Sequence, residues 1–157
     1  MTNKSGIKII TTNRKAYHEY FIEDKIEAGI ELRGSEVKSI RLGNINLRES
    51  HVGISNGEIW LYGCHINPFE QANRFNHEPD RNRKLLMHKH EIFKLQGIVQ
   101  QKGLTLIPTS CYFKNGKVKI EVGVARGKKH HDKRQAIAQK DAKIQIERRL
   151  KDNLRIT

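Results

Sequence analysis

The residues that could bind a metal ion are scattered along the chain. A cysteine and a histidine are adjacent at Cys64-His65, and further histidines stand at His88, His90 and the pair His130-His131. None of them forms a Cys-x-x-Cys or His-Glu-x-x-His pair, the spacings with which proteins hold zinc. Surface histidines and a buried strand cysteine explain these residues better, and no metal or other cofactor is expected.

A small nuclease is the catalytic alternative. Glu36-Val37-Lys38 together with Asp80 is similar to the acidic-x-Lys element of some nucleases, but the order is wrong for that element. Two carboxylates among 17 acidic residues are a weak signal, and no Gly-rich phosphate loop follows a strand. We therefore expect a binding protein and not an enzyme.

Positive charge is the strongest signal in the composition. The 157 residues contain 30 Lys and Arg against 17 Asp and Glu, a formal charge of +13. The cations cluster at 14–15, at Lys38 with Arg41, at 81–84 and at 126–129. Lysine and arginine neutralise phosphates and release counterions, so nucleic acid is the expected partner. No membrane span is expected, because the chain lacks an apolar run of about 18 residues. A membrane surface is the weaker alternative partner, because the chain lacks a lipidation motif and a strong amphipathic anchor.

Aromatic residues beside these cations can stack on unpaired bases. The candidates are Tyr17, Tyr20, Phe69, Phe75, Tyr112 and Phe113. The alternative assigns Tyr20, Phe21, Trp60 and Phe113 to the core. Two cysteines make no disulfide framework and the first residues resemble no secretory signal, so we expect a cytoplasmic protein.

Turn chemistry predicts two β-hairpins. Asn56-Gly57 lies between apolar segments at 51–55 and 58–62, and Asn115-Gly116 lies between 109–114 and 117–122. Asn and Gly tolerate the positive φ that two-residue hairpin turns require. Two further strands are predicted at 8–11 and 19–32.

Helices are predicted between these strands, at 34–43 with Ser35 as cap and at 88–102 before Gly103. Residues 67–84 are predicted to be mostly loop. This order indicates a mainly β fold with flanking helices, a small barrel of the oligonucleotide-binding type over residues 1–126. An open α+β sandwich is the alternative.

Residues 127–157 are predicted to form a separate basic tail. Ten Lys and Arg against four Asp and Glu give it a charge of +6. Apolar residues recur at every fourth position, the spacing of a narrow helical stripe: Ala138, Ala142, Ile146, Leu150 and Leu154. Because lone helices of this length are marginal in water, we expect a tail that is disordered when free and helical when bound. The alternative is a solvated C-terminal helix packed on the domain.

Six segments, read in order, resemble the small protein B family, the bacterial tmRNA (SsrA)-binding proteins. They are NRKAYHEYFI (13–22), EAGI (27–30), GSEVKSIR (34–41), RNRKLLMHK (81–89), YFKNGKVK (112–119) and GKKHHDKR (127–134). Each segment alone is moderately specific, but together they run in family order over nearly the whole chain. The resemblance implies an oligonucleotide-binding-type barrel with a C-terminal tail.

The same resemblance implies binding to the tRNA-like domain of tmRNA and delivery of alanyl-tmRNA to stalled ribosomes in trans-translation, in place of an anticodon arm. It implies indirect contact with elongation factor Tu through alanyl-tmRNA. The family's RNA-facing positions match Glu27, Leu86 and His88. Lys38, Arg41 and Lys84 are added on electrostatic grounds alone. A structural ribosomal protein is the alternative that size, charge and a basic extension also suggest.

The resemblance also implies that the tail enters the vacant mRNA channel beyond the decoding centre and becomes helical there. The residues here expected to lie near 16S rRNA are Gly127, Lys128, Lys129, His131, Asp132, Lys133 and Arg134. Directly after Arg134, at 135–141, the chain departs from the family pattern by having fewer basic residues than many relatives. The departure leaves the entry segment intact and concerns the strength of the contacts further along the tail.

Overall fold

The computed structural model describes residues 6–156, with the backbone alone at residues 130–133, 135–136 and 153–156. The strands are β1 (Ile7–Thr12), β2 (Tyr20–Ile30), β3 (Ile45–Asn46), β4 (His51–Ser55), β5 (Glu58–Tyr62), β6 (His65–Ile66), β7 (Arg83–Leu86), β8 (Thr105–Lys114) and β9 (Lys117–Gly127). The α-helices are α1 (Arg14–Glu19), α2 (Gly34–Arg41), α3 (Lys89–Lys102) and α4 (His130–Ile156), with a 3₁₀ helix at Glu70–Phe75.

Six strands close into an antiparallel barrel in the order β8-β4-β5-β7-β2-β9, because β9 pairs back onto β8. Strands β4 and β8 pair through one residue pair, Val52 and Leu106. Strand β1 extends the sheet on β8, and β3 with β6 forms a separate two-stranded sheet. Closure satisfies strand edges that would otherwise be open. The predicted mainly β barrel with flanking helices is confirmed.

Both predicted hairpins are confirmed. Asn56 and Gly57 have φ of 53° and 74°, and Asn115 and Gly116 have φ of 52° and 79°. Positive φ at both central residues matches the right-handed twist of the flanking strands. Along β9 the alternation places Val118, Ile120, Val122 and Val124 in the barrel core.

A second, smaller apolar cluster lies outside the barrel. Ala16 of α1 packs with Ile107 and Ala125 of β8 and β9, and Tyr20 and Ile22 cover the cluster. Helix α1 was not predicted from the sequence. It begins after Asn13, whose side chain accepts a hydrogen bond from the backbone N–H of Ala16, a standard N-cap.

One local prediction was wrong because a distant residue decides the position. Ser35 does not cap α2, since the cap residue is Arg33 and the Ser35 hydroxyl is buried 2.9 Å from Nδ1 of His77. Residues 67–84 are mostly loop, as predicted, and this segment also includes the 3₁₀ helix and the start of β7.

Beyond the barrel, the chain forms the predicted helix as α4. Its described side chains are exposed, and it contacts α1 along a groove of about 680 Å³ that includes Tyr17, Ile137 and Ile144. Strand β9 reaches Gly127, one residue past the predicted domain boundary. The two-part division and the folding of the tail on binding stay predictions. Among the described residues, no helix combines the length and apolarity needed to cross a bilayer.

Candidate nucleic-acid interface

Glu27, Leu86 and His88 lie together on the outer face of the barrel, where they line one open cleft of about 410 Å³. Glu27 is on β2, Leu86 ends β7, and His88 is the N-cap residue of α3. The β2–β7 register, in which Gly29 faces Leu86, brings these elements together. Three residues predicted from separate segments therefore form one site, named here the outer cleft.

Close approach of β2 and β7 depends on Gly29. A Cβ at this position would lie 3.2 Å from Leu86 Cβ, tighter than ordinary van der Waals contact. Leu86 Cβ is tied to the backbone, so the contact cannot be relieved by a change of rotamer. Glycine here lets β7 pack close enough to hold Leu86 in the outer cleft.

Glu27 is a fixed, ionised acceptor in the cleft. Its carboxylate accepts a hydrogen bond from the Tyr112 hydroxyl and lies 3.3 Å from Lys114 Nζ. The Tyr112 hydrogen bond is the main reason that the pKa of Glu27 is lowered, with Lys114 adding to it and partial burial opposing it. Tyr112 itself is buried, so it supports Glu27 and offers no free face for stacking.

Apolar and aromatic surfaces adjoin this carboxylate. Leu86 is 50% exposed, which is unusual for a leucine at the end of a buried strand. The rings of His88 and His90 stack with centroids 5.6 Å apart at 13°. Lys119 adds a cation to the cleft wall. The outer cleft therefore combines a fixed acceptor, a cation and flat surfaces, which suits an RNA loop better than a small metabolite.

The three electrostatic candidates lie elsewhere. Lys84 Nζ is 3.1 Å from Glu58 Oε1 on the neighbouring strand β5. Arg41 lies 6.0 Å above the Phe113 ring, and Lys38 lies 5.5 Å above the Phe69 ring. None of these three lines the outer cleft, and their contact with RNA stays a prediction.

The predicted basic cluster at 81–84 is divided between surface and core. Arg83 is fully buried, where its Nε lies 2.5 Å from Glu36 Oε2 and its other nitrogens donate to the Cys64 and Pro79 carbonyls. Arg81 is mostly buried and also pairs with Glu36. Arg83 therefore stabilises the fold and is not available for phosphate, whereas the side chain of Arg81 remains 23% exposed.

The same contacts remove the support for a nuclease. Burial raises the pKa of Glu36, but hydrogen bonds from Arg81, the Arg33 backbone and Arg83 together hold it below its usual value. The second carboxylate, Asp80, lies 2.7 Å from His65 Nδ1 on the surface. A fully buried carboxylate with its oxygens paired to arginines cannot bind a catalytic metal ion.

Gly127, Lys128 and Lys129 form the root of the tail. The Lys128 backbone N–H donates to the Glu19 carbonyl at 2.8 Å, and its Nζ donates to the Tyr17 carbonyl at 3.1 Å. The Lys128 ammonium also lies 5.0 Å from the Phe21 ring centroid, and the Arg126 guanidinium lies 5.1 Å from the same centroid. Lys128 is therefore bound to the body of the protein. Arg134 is exposed on α4, and the side chains of His131, Asp132 and Lys133 lie outside the described residues.

The residues considered for metal binding do not assemble in the described part of the chain, where no three His, Cys, Asp or Glu side chains cluster. Cys64 and Cys111 are buried in the barrel core, and desolvation raises the pKa of each thiol to about 12. Both are protonated at neutral pH and pack as small apolar groups.

Sequence reasoning missed several lining residues of the outer cleft, among them Lys119, Met87 and Glu91. Lys119 carried a usable signal. It alternates with Val118 and Ile120 on β9, so its side chain had to lie on the outer face of the hairpin. Glu91 and Met87 carried no such signal, because Met87 follows β7 and Glu91 lies in the first turn of α3, and their place at the cleft depends on how the chain turns between these two elements.

Comparisons with known proteins give matches over most of the chain. The family described as SmpB protein matches residues 10–152. The SsrA-binding protein of Desulfitobacterium hafniense (strain DSM 10664 / DCB-2) is 62% identical over 147 residues, 94% of each chain. That of Caldicellulosiruptor bescii is 59% identical over 152 residues, 97% of this chain and 96% of the relative.

A solved structure, "tmRNA-SmpB: a journey to the center of the bacterial ribosome", is 44% identical with a TM-score of 0.65. The match covers 81% of this chain and 93% of that chain. The family match extends over the barrel, the outer cleft and most of α4. This chain therefore belongs to the SmpB protein family.

Proposed function

We propose that this chain is a tmRNA-binding protein required for trans-translation, and that it binds the tRNA-like domain of tmRNA through the outer cleft. The observation that carries the proposal is the convergence of Glu27, Leu86 and His88 in one cleft on a chain of charge +13. The similarity to SsrA-binding proteins supports the same partner.

The chemistry of the outer cleft suits a folded RNA with exposed bases. Glu27 can accept hydrogen bonds from base amino groups, as carboxylates do at nucleic-acid interfaces. Lys114 and Lys119 lie close enough to neutralise neighbouring phosphates. Leu86 and His88 offer surfaces on which an unstacked base can rest. Such a site reads the shape of one RNA and not a base sequence in a duplex.

The chain works in two parts under this proposal. The barrel, residues 1–126, holds alanyl-tmRNA in place of an anticodon arm, so contact with elongation factor Tu is indirect. The tail, residues 127–157, enters the vacant mRNA channel of the stalled ribosome near the decoding centre. There Gly127, Lys128 and Lys129 lie at its root, and 16S rRNA meets the residues His131, Asp132, Lys133 and Arg134. The protein acts in the cytoplasm and without catalysis.

Removal of residues 130–157 separates the two parts experimentally, because it preserves β9 and the Lys128 contacts to α1. We expect the shortened chain to bind tmRNA with unchanged affinity in a gel-shift assay and to lose peptide tagging on ribosomes stalled at a message lacking a stop codon. Equal loss of both activities would contradict a two-part mechanism.

The outer cleft is tested by Glu27→Gln and Leu86→Ala, with Glu58→Gln as the matched control on another face of the barrel. Each cleft variant should weaken tmRNA binding about tenfold, corresponding to roughly 1.4 kcal/mol. Among the described residues, the ion pair of Glu58 is with the partly exposed Lys84, which does not line the outer cleft, so this variant should bind normally. If both cleft variants bind tmRNA as tightly as the wild type, the site has been assigned to the wrong surface.

A further inference from the structure

We propose a second tmRNA contact at residues 69–76, named here the aromatic loop, where an unpaired base stacks on Phe75. This inference rests on the proposed function and adds a site to it. Phe75 is 76% exposed, although a phenylalanine side chain gains free energy from burial. Arg74 places its guanidinium 4.9 Å from the Phe75 ring centroid. The loop thus presents an aromatic ring and a cation side by side to solvent.

The base of the aromatic loop is rigid. Asn76 closes it by accepting a hydrogen bond from the Phe69 N–H at 3.0 Å and donating one to the Phe69 carbonyl at 2.7 Å. Asn73 adopts φ 46° and ψ −118°, a backbone conformation that few residues other than glycine populate. Because the loop is closed before any partner binds, little conformational entropy is lost when Phe75 makes a contact.

The loop is attached to α2. The Ser39 hydroxyl donates to the Asn67 carbonyl at 2.6 Å, and the Asn67 N–H donates to the Asn44 carbonyl at 3.0 Å. Lys38 of α2 lies over the Phe69 ring. The loop and α2 therefore form one unit with two cation–aromatic pairs, and Lys38 belongs to this surface and not to the outer cleft.

Helix α2 lines a cavity that adjoins the outer cleft, and this arrangement favours tmRNA as the partner of the aromatic loop. Val37 lines a cavity of about 410 Å³ together with Gly29, Leu86 and Lys117, and two of these residues also line the outer cleft. Lys38, the next residue, faces the aromatic loop. An RNA bound in the outer cleft therefore needs to cross only α2 to reach Phe75, so we assign the contact to tmRNA.

The surroundings of Phe75 favour RNA over a protein partner. Gln71, Asn73 and Arg74 are exposed, and no residue of the 3₁₀ helix is buried. A single ring with a polar, cationic border matches the way in which aromatic and arginine side chains together hold a splayed base. The core of a protein–protein interface would require a larger apolar patch.

The test compares Phe75→Leu with Phe93→Leu by tmRNA binding. Phe93 lies on α3 and is 78% exposed, so the two substitutions remove the same ring from equally exposed positions. Loss of one stacked base predicts a rise in Kd of about five- to 100-fold for Phe75→Leu. The Phe75→Trp variant keeps an aromatic ring and should retain tmRNA binding. The Phe93→Leu variant should bind tmRNA as the wild type does. Equal affinities of the wild type and Phe75→Leu would overturn the inference.

A photoreactive phenylalanine analogue at position 75 identifies the partner on tmRNA-loaded ribosomes. Crosslinks to an unpaired nucleotide of tmRNA support the inference, whereas crosslinks only to ribosomal RNA or to a protein overturn it. The two proposals fail differently. If the wild-type chain does not bind tmRNA, the proposed function is wrong, but if it binds and Phe75→Leu binds equally well, only the aromatic loop has been misassigned.

Discussion

Glu36→Gln is expected to be the most damaging conservative substitution in the barrel. Glu36 of α2 and Arg83 of β7 are both fully buried and paired. The glutamine has nearly the same shape but carries no charge, so Arg83 would remain buried without a counterion. Since Arg83 lies three residues before Leu86 on β7, loosening this pair also disturbs the outer cleft.

Removing one partner of a buried ion pair costs about 3–5 kcal/mol. For a chain of this length, each kcal/mol corresponds to about 2–4 °C in Tm, so the expected decrease is roughly 6–20 °C. Thermal and urea unfolding followed by circular dichroism measure it. Glu58→Gln is the control, because its pair with Lys84 is half exposed and contributes less than about 1 kcal/mol.

The double variant Glu36→Gln with Arg83→Met separates charge from packing. Methionine removes the unpaired guanidinium, so the double variant should be more stable than Glu36→Gln alone, as replacement of buried pairs by apolar residues allows. A loss below about 1 kcal/mol for Glu36→Gln would refute the reasoning. So would a double variant less stable than the single one.

The pair of Glu36 and Arg83 also predicts that the free energy of unfolding decreases at acid pH. Hydrogen bonds from Arg81, the Arg33 backbone and Arg83 outweigh burial and lower the pKa of Glu36 from its unfolded value of 4.5. Stability from a carboxyl group with a lowered pKa is fully present above the unfolded pKa and is lost as pH falls through the folded pKa. The difference in unfolding free energy between the wild type and Glu36→Gln should therefore narrow below pH 4.5. A constant difference across this range would contradict the assignment.

Two further predictions concern the outer cleft and the root of the tail. Gly29→Ala should weaken tmRNA binding about five- to tenfold, or about 1 kcal/mol, because the added Cβ would displace Leu86. The control is Gly97→Ala in α3, where the added Cβ meets nothing within 4 Å and binding should be unchanged. Normal binding by Gly29→Ala would show that the fit of Leu86 is unimportant. Lys128→Gln should leave tmRNA affinity unchanged but reduce peptide tagging, since the contacts of the Lys128 side chain to Tyr17 and Phe21 set the direction of the tail. Hydrogen exchange at the backbone amide of residue 128 should increase. Unchanged exchange would indicate that the backbone hydrogen bond to Glu19 is enough to hold the start of the tail.

Local features of this fold were predictable because they depend on neighbouring residues. Asn56-Gly57 and Asn115-Gly116 specify their turns through backbone conformation alone, and the alternation after Lys117 specifies which face of β9 is buried. The four-residue stripe of the tail likewise predicted α4. Helix α1 escaped prediction, because its buried Ala16 packs on residues of β8 and β9 almost a hundred positions later in the chain.

In the candidate site, too, some features follow from the sequence and others depend on tertiary structure. Glu27, Leu86 and His88 were identified by resemblance to a family, not by spacing, and only the β2–β7 register places them in one cleft. Arg83 and Lys84 are adjacent cations in the sequence, yet one is buried and the other is partly exposed. Composition and local pattern predicted a basic, mainly β protein with a tail able to form a helix, whereas the closure of the barrel, against the alternative of an open sandwich, is seen only in the sheet topology. Which cations remain at the surface was decided by tertiary structure, because burial of a charge depends on a partner such as Glu36 that folding brings from a distant segment.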